Sequence, residues 1–268
     1  MYRPIHDSSD VDRLQTDLNT LSSWQDTWQM QFNAKKCFVL KVSHSRTPTT
    51  HQYKLGQNIL QETDSHPYLG VTITKDLKWD THINQSISKA KRVLGLVCRN
   101  LHPCTKNLKA TAYKSLVRPH LEYSSTVWDN KNKGLIHKVE AVQRRAARFA
   151  SRDYDYNSSV TKMLENLKWD TLQMRRQVSR LTVLYKSIND QVAIPAQSFL
   201  TPVARSTRRN NSKAFIRPHA TKDCYKHSFF PQTISEWNFL PEAVVNSTSS
   251  DTFKELVTNH LRPSHLSN

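Results

Sequence analysis

The sequence predicts a predominantly α-helical α+β fold, in which one helix and a small antiparallel β region precede a helical bundle and C-terminal helices. Apolar residues recur at helical spacing from Asp80 onward, whereas runs of β-forming residues are confined to positions 37–73. Hydrophobic residues make up only 37% of the chain and the mean hydropathy is -0.66. Such a composition is typical of amphipathic helices with broad hydrated faces rather than of a deeply buried sheet.

The first helix is predicted to begin near Ser9, with Asp12 as its capping-box partner, and to end by Asn33. Its apolar stripe consists of Val11, Leu14, Leu18, Leu21 and Trp28. The β region that follows is predicted to contain three parts: a strand over Cys37–Val42, a hairpin over Tyr53–Leu60 that turns at Gly56, and a strand over Tyr68–Ile73. Three strands are about the minimum for a sheet that is stable by itself.

Five helices with short connections are then predicted, as a helical bundle requires. Their apolar stripes are Ile83, Ile87, Ala90, Leu94, Val97 and Leu101; Leu108, Ala112 and Leu116; Leu135, Val139, Val142, Ala146 and Phe149; Val160, Met163, Leu164 and Leu167; and Met174, Val178, Leu181, Tyr185 and Ile188. Pro119 is expected to end the second of these helices. Asp170 is expected to cap the fifth, with Trp169 packing beside it.

The last part of the chain changes character. Residues 195–226 form a basic linker whose stretch Ala204–Lys213 is predicted to be a linker or arm. Beyond it, an aromatic segment from Phe229 to Pro241 is expected to be core, and a final helix includes Phe253 and Leu261. The predicted division is therefore 1–78, 79–194, 195–226 and 227–268.

Charge points to a polyanionic partner. The chain has 39 Lys+Arg against 22 Asp+Glu, a net charge of +17. Nucleic acid is the commonest polyanion that such an excess binds. The alternatives are a merely solubilising surface charge and the translation of a degraded element.

No apolar run approaches the roughly 20 residues of a membrane span, and the N-terminus has no secretory apolar segment. The four cysteines are too dispersed for a disulfide framework, so an intracellular location in the nucleus or cytoplasm is expected. Two interpretations of the cysteines are open. One is a zinc site formed by Cys98, His102 and Cys104, with Cys224 and His227 as further ligands. The other is that the cysteines are core or half-buried thiols. The thiol is the better interpretation, because the spacing is not that of a zinc knuckle.

The third helix of the bundle combines an apolar stripe with a basic one. Lys138, Arg145, Arg148 and Arg152 cluster beside its apolar residues, and Arg144 lies within the same run. A face of this kind suits a phosphate backbone and gives no base readout. The alternative is that these side chains pair with carboxylates of adjacent helices. Arg175 and Arg176 are expected to extend the basic face.

Several motifs resemble one family. Phe32–Cys37 reads Phe-Asn-Ala-Lys-Lys-Cys, His66–Val71 reads His-Pro-Tyr-Leu-Gly-Val, and Arg118–Tyr123 reads Arg-Pro-His-Leu-Glu-Tyr. Val142–Phe149 reads Val-Gln-Arg-Arg-Ala-Ala-Arg-Phe, and Ser228–Pro241 contains Ser-Phe-Phe-Pro and Trp-Asn-Phe-Leu-Pro. From Tyr2 to about Leu261 the chain resembles one part of the reverse transcriptases of non-LTR retrotransposons, the CR1/L2/jockey-like LINE elements. This is the part that follows the catalytic Tyr-Ala-Asp-Asp box.

This resemblance implies that residues 1–78 are the end of the polymerase palm and residues 79–194 a helical thumb. It also implies that Lys36 matches the motif D lysine near the incoming triphosphate, and that Tyr68 and Gly70 match the primer grip. The aspartates that bind Mg²⁺ would lie upstream, so Mg²⁺ is expected only for the complete polymerase and no cofactor for this chain.

The expected function is that of a truncated reverse transcriptase, which binds RNA or an RNA–DNA hybrid without catalysing polymerisation alone. The polymerase palm is a second expected partner. Two alternatives are a relic without function and a domesticated nucleic-acid- or protein-binding module that uses the arm around Arg205 to Lys213. A relic is expected to lack a cooperative thermal transition.

Overall fold

The computed structural model describes residues 1–43, 51–204 and 211–262. It is mostly helical with small two-stranded sheets, which confirms the predicted fold class. The chain divides into two compact units, Met1–Thr81 and His82–Asn268. Positions 205–210 of the predicted arm lie outside the residues that the structure describes.

In the first unit, helix α1 (Ser8–Trp28) packs against the hairpin that follows it. Buried Val11 and Leu18 form a small core with Tyr53, Leu55 and Leu60. The predicted capping box at Ser9 and Asp12 is wrong. The carboxylate of Asp7 caps α1 instead, accepting the amides of Ser9 and Asp10 at 2.8 and 3.2 Å.

The described strands form three separate pairs rather than one sheet. They are β1 (Phe38–Val39), β2 (Lys54–Leu55), β3 (Asn58–Ile59), β4 (Gln61–Glu62), β5 (Ser65–Tyr68) and β6 (Val71–Thr74). The predicted hairpin is confirmed as the antiparallel pair β2–β3, and β5–β6 is also antiparallel. The pair β1–β4 is parallel, so the prediction of an entirely antiparallel β region is wrong at this pair.

The predicted strand over Tyr68–Ile73 is wrong, because a turn interrupts it. Leu69 and Gly70 have φ values of 47° and 80°. Two successive positive φ angles are those of a tight two-residue hairpin turn, with glycine at the position where the absence of a Cβ matters most. Tyr68 and Val71 therefore face each other across the ends of β5 and β6.

The helices from α2 onward are largely those that the apolar periodicity predicts. Their bounds are α2 (Asp80–Asn100), α3 (Lys106–Ala112), α4 (Arg118–Glu122), α5 (Ser125–Trp128), α6 (Lys133–Ser151), α7 (Val160–Asn166), α8 (Leu172–Ile188), α9 (Asp223–Lys226), α10 (Phe229–Trp237), α11 (Glu242–Val245) and α12 (Ser250–Leu261). The predicted stripe of α6 is buried throughout, as are most residues of the stripes of α2 and α8. Helix packing rather than intrinsic propensity accounts for most of the stability of such elements.

The region between α3 and α4 differs from the prediction in two ways. Pro119 does not end the helix, because a π-helical turn over Tyr113–Val117 lets the chain restart with the proline in the first turn of α4. The buried face also differs from the predicted one, by about one residue along the helix. Of the predicted stripe, Ala112 is buried, whereas Leu108 and Leu116 are about half exposed. The other buried residues of this segment are Lys109, Tyr113, Val117 and Leu121.

The cap of α8 also differs from the prediction. The hydroxyl of Thr171 accepts the amide of Met174 at 3.2 Å, so Thr171 rather than Asp170 is the N-cap. Asp170 instead pairs with Arg262 at 3.0 Å. Trp169 is buried, as expected of a packing residue, and stacks on Tyr113 with ring centroids 4.4 Å apart.

The aromatic segment near the C-terminus is core, as predicted. Ile234 and Trp237 of α10 are fully buried with Leu181 of α8 and Phe253 of α12. Trp237 and Phe253 stack with ring centroids 5.6 Å apart. Helices α8, α10 and α12 therefore share one hydrophobic core.

His82 provides a test of this packing by pH. Its ring is buried 5.7 Å from that of Trp128, and burial, aided by the charge of Lys89, lowers its pKa below the usual 6.5. The unfolded chain therefore binds the proton more readily than the folded protein does. As a result, the free energy of unfolding decreases as the pH falls below about 6.5. We expect His82→Phe to remove part of the loss in unfolding free energy between about pH 7.5 and 5. Identical pH profiles for the two proteins in denaturant titrations would contradict this.

Candidate nucleic-acid interface

Helix α6 carries the largest set of predicted site residues. It begins at the cap Asn132, whose side chain accepts the amides of Gly134 and Leu135 at 2.9 and 3.2 Å, and it ends at Arg152 in the left-handed region with φ of 55°. At 3.6 residues per turn, a spacing of seven residues returns almost to the same side of the helix. We call the surface opposite the buried stripe the basic face of α6; it consists of His137, Lys138, Arg144, Arg145, Arg148 and Arg152.

Three arginines of the basic face of α6 are held by neutral oxygens. Arg148 donates to the carbonyl of Asp155 at 2.7 Å. Arg152 donates to the carbonyls of residues 102, 103 and 104 at 3.3, 2.7 and 3.1 Å. Arg144 donates to the carbonyl of His137 at 3.3 Å and lies 3.2 Å from its ring nitrogens. These hydrogen bonds fix the side chains without neutralising their charge.

The ion pairs of the described residues leave the basic face of α6 out. Neither Lys138 nor Arg145, both exposed, nor any of the three anchored arginines lies within 4.0 Å of a carboxylate in that part of the chain. Glu140, the one acidic residue of the helix, instead accepts the amide of Gln173 at 2.8 Å. The alternative of arginines paired with neighbouring carboxylates therefore does not describe this face.

The structure does not bring Arg175 and Arg176 to this face. Arg176 is only 2% exposed and its Nε donates to Asp129 at 2.8 Å. Arg175 donates to Glu122, with Nη2 and Oε2 3.1 Å apart. Burial lowers the pKa of Arg176, whereas the hydrogen bond to Glu122 raises the pKa of Arg175. Both guanidinium groups thus have acidic partners in the chain, that of Arg176 in the interior and that of Arg175 at the partly exposed Glu122.

The remaining predicted site residues lie in the first unit. Lys36 is exposed in a 3₁₀ turn over Ala34–Lys36. Tyr68 is 63% exposed at the end of β5, and Gly70 lies in the turn beside it. The hairpin turn gives Gly70 a structural reason for its identity that is independent of any ligand.

A second basic surface is not among the predicted sites. Lys89, Arg92, Val93 and Leu96 of α2 and His120 of α4 line an open groove of about 380 Å³. The sequence signal was the spacing of Lys89, Arg92 and Leu96 on the hydrated side of α2, which the apolar stripe of the same helix obscured. The groove combines positive charge with apolar walls, so it is a competing candidate for the same type of ligand.

The cysteines do not form a metal centre in the described part of the chain, where no group of three or more His, Cys, Asp or Glu side chains is placed to hold an ion. Cys98 is half-buried, as expected for a thiol beside the core, and burial raises its pKa.

Lys109 is buried with its ammonium 4.6 Å from the centre of the Phe149 ring, and desolvation lowers its pKa. None of the described helices is long and apolar enough to cross a membrane.

Comparisons with known proteins point to one group. The chain is 27% identical over 212 residues to a probable RNA-directed DNA polymerase from transposon BS of Drosophila melanogaster, covering 76% of this chain and 22% of that protein. It is 23% identical over 207 residues to the RNA-directed DNA polymerase from mobile element jockey of the same species, covering 73% of this chain and 22% of the relative. The jockey protein of Drosophila funebris is also 23% identical, over 214 residues.

The chain thus spans about a fifth of the length of the curated relatives that it matches. No family model matches the chain, and no solved structure matches it. What the comparisons establish is a distant similarity to the RNA-directed DNA polymerases of the BS and jockey mobile elements.

Proposed function

We propose that this chain is the region of a non-LTR retrotransposon reverse transcriptase that lies after the catalytic aspartates, and that it binds the backbone of RNA or an RNA–DNA hybrid through the basic face of α6. The observation that carries this proposal is that none of these cationic side chains is paired with a carboxylate in the described chain. The distant similarity to RNA-directed DNA polymerases supports it.

The dimensions of the basic face of α6 fit a nucleic-acid strand. From Lys138 to Arg152 the helix rises roughly 21 Å at 1.5 Å per residue. At the rise of 3.4 Å per nucleotide found in B-form DNA, this length corresponds to about six nucleotides of one strand. Side chains that bind phosphates position a backbone and carry no base specificity, so binding should tolerate changes of sequence.

The test is to measure binding of a blunt RNA–DNA hybrid as a function of salt for the double variant Lys138→Gln/Arg145→Gln. Both side chains are exposed and no described hydrogen bond or ion pair involves them, so the fold should be unaffected. We expect the log–log slope of affinity against salt to fall by about two units, because each substitution leaves roughly one phosphate without its cationic partner.

The matched control is Lys222→Gln/Lys254→Gln, which removes the same amount of positive charge. Lys222 is exposed just before α9, and Lys254 is exposed on α12. Its slope should remain that of the wild type. A second pair, Lys89→Gln/Arg92→Gln, tests the groove on α2. If only that pair lowers the slope, or if no variant changes it, the assignment to the basic face of α6 fails.

The domesticated-module alternative depends on a different segment. Residues 205–210 of the predicted arm lie outside the described residues, whereas Asn211 is buried and donates to the carbonyl of Trp237 at 2.7 Å. Deleting residues 205–210 does not remove Asn211 itself. The thumb interpretation predicts a smaller effect on hybrid binding than the α6 double variant, and the module interpretation predicts the reverse.

The proposal assigns no polymerisation to this chain alone. In a complete polymerase we propose that Lys36 lies near the incoming triphosphate, that Tyr68 and Gly70 belong to the primer grip, and that the upstream palm is the partner of the first unit. Aspartates of the complete polymerase would hold Mg²⁺, and two such ions would supply electrostatic stabilisation of the reacting oxygens.

A further inference from the structure

We propose that Tyr154 and Tyr156 form an aromatic platform that stacks on unpaired bases of a single-stranded RNA or DNA segment. This inference rests on the function proposed above, because the phosphates of that segment would lie along the basic face of α6. The two tyrosines belong to the loop between α6 and α7. Tyr154 is 63% exposed and Tyr156 is 94% exposed.

The loop that carries these tyrosines is tied to α6 and to itself. The carboxylate of Asp153 accepts the amide of Asp155 at 3.1 Å, and the carboxylate of Asp155 accepts the amide of Asn157 at 2.9 Å. The amide of Asp153 donates to the carbonyl of Arg148 at 3.2 Å. The backbone on both sides of Tyr154 and Tyr156 is therefore fixed while their rings face water.

Arg148 connects this loop directly to the basic face of α6. Its guanidinium donates to the carbonyl of Asp155 at 2.7 Å, between the two tyrosines in the chain. The loop backbone between the two tyrosines is therefore in direct contact with an arginine of the basic face of α6. Stacking on aromatic rings tolerates every base, because each has a π-face.

The charges of the loop determine which part of the nucleic acid can occupy it. The carboxylates of Asp153 and Asp155 flank the tyrosines and would repel a phosphate. They oppose an uncharged base much less, and their oxygens accept hydrogen bonds such as those of exocyclic amino groups. The arrangement therefore favours bases at the loop and phosphates on α6. Bases in a duplex are already stacked, so the platform should discriminate in favour of single strands.

The experiment compares a labelled single-stranded oligonucleotide of about 12 residues with a blunt hybrid of the same length, using the full chain and fluorescence anisotropy. We expect Tyr154→Leu/Tyr156→Leu to weaken single-strand binding by at least about tenfold and hybrid binding by less than about twofold. Tyr154→Phe/Tyr156→Phe keeps the rings and should bind as the wild type. Tyr225→Leu removes a tyrosine that is 48% exposed elsewhere and serves as the control.

The outcomes separate this inference from the proposed function. If the leucine variant binds the single strand as well as wild type does, or loses affinity for both ligands equally, the platform is wrong while backbone binding stands. If the phenylalanine variant loses as much as the leucine variant, the hydroxyls rather than the rings bind, and the stacking proposal is overturned. If the wild type binds neither ligand in a salt-dependent way, both proposals fail.

Discussion

Replacing Asp129 by alanine should lower the free energy of unfolding by roughly 3–5 kcal/mol, the cost expected when one partner is removed from a buried ion pair. Asp129 follows α5 and pairs with Arg176 at 2.8 Å and with Arg180. Both arginine side chains are at most 2% exposed. Glu236 of α10 is the other carboxylate of this cluster and lies 2.6 Å from Arg180. Without Asp129, the buried guanidinium of Arg176 would have no ion-pair partner among the described residues, and Arg180 would keep only Glu236.

Chemical denaturation of purified protein measures this effect, and two variants define its origin. Asp129→Asn keeps an acceptor but no charge, so its stability should lie between those of wild type and the alanine variant. Asp170→Ala breaks the more exposed pair with Arg262 and should cost less than about 1 kcal/mol. A loss below about 1 kcal/mol for Asp129→Ala would show that the cluster does not bind the helices together.

The same cluster explains why the sequence alone places Arg176 on a surface. Arg175 and Arg176 are adjacent in the chain, and nothing local distinguishes an arginine that meets solvent from one that meets Asp129, 47 positions away. The burial of Arg176 is set by the packing of α5, α8 and α10, which is a long-range property. Charged residues are rarely fully buried unless paired, so the surface was the expected location.

Patterns within a short stretch of sequence predict the helices whose buried face follows a regular spacing. The stripe of α6 from Leu135 to Phe149 is buried as its helical spacing predicts. The stripe predicted for the helix around Tyr113 is only partly right: Ala112 is buried, whereas Leu108 and Leu116 are about half exposed. A π-helical turn that begins at Tyr113 moves the side chains after it to another face. The strand pairings depend on contacts between distant residues, and the parallel pair of β1 with β4 has no local signal.

The candidate site shows the same division. The basic run Arg144–Arg152 could be read from the sequence, because charge and helical spacing are local properties. The anchoring of Arg152 by the carbonyls of residues 102–104 could not, since it requires the loop after α2 to approach the end of α6. The proposed platform rests on the exposure of the Tyr154 and Tyr156 rings, and the sequence around these residues does not indicate whether their rings are exposed.

Replacing Trp237 by alanine should also destabilise the protein by about 3–5 kcal/mol, the usual range for removing a large aromatic side chain from a core. Trp237 is fully buried against Phe253, and its indole N–H donates to the carbonyl of Lys213 at 2.9 Å. The variant would therefore leave a cavity and remove the hydrogen bond to that carbonyl. Trp237→Phe keeps part of the ring volume and should lose less.

This variant also tests whether the C-terminal helices stabilise the whole second unit or only themselves. Helices α8, α10 and α12 share the core around Trp237, and α8 packs against α6. If the unit unfolds cooperatively, Trp237→Ala should lower a single transition seen by both circular dichroism and tyrosine–tryptophan fluorescence. An additional transition that the wild type lacks, with hybrid binding retained after it, would instead mean that the basic face of α6 does not require this core.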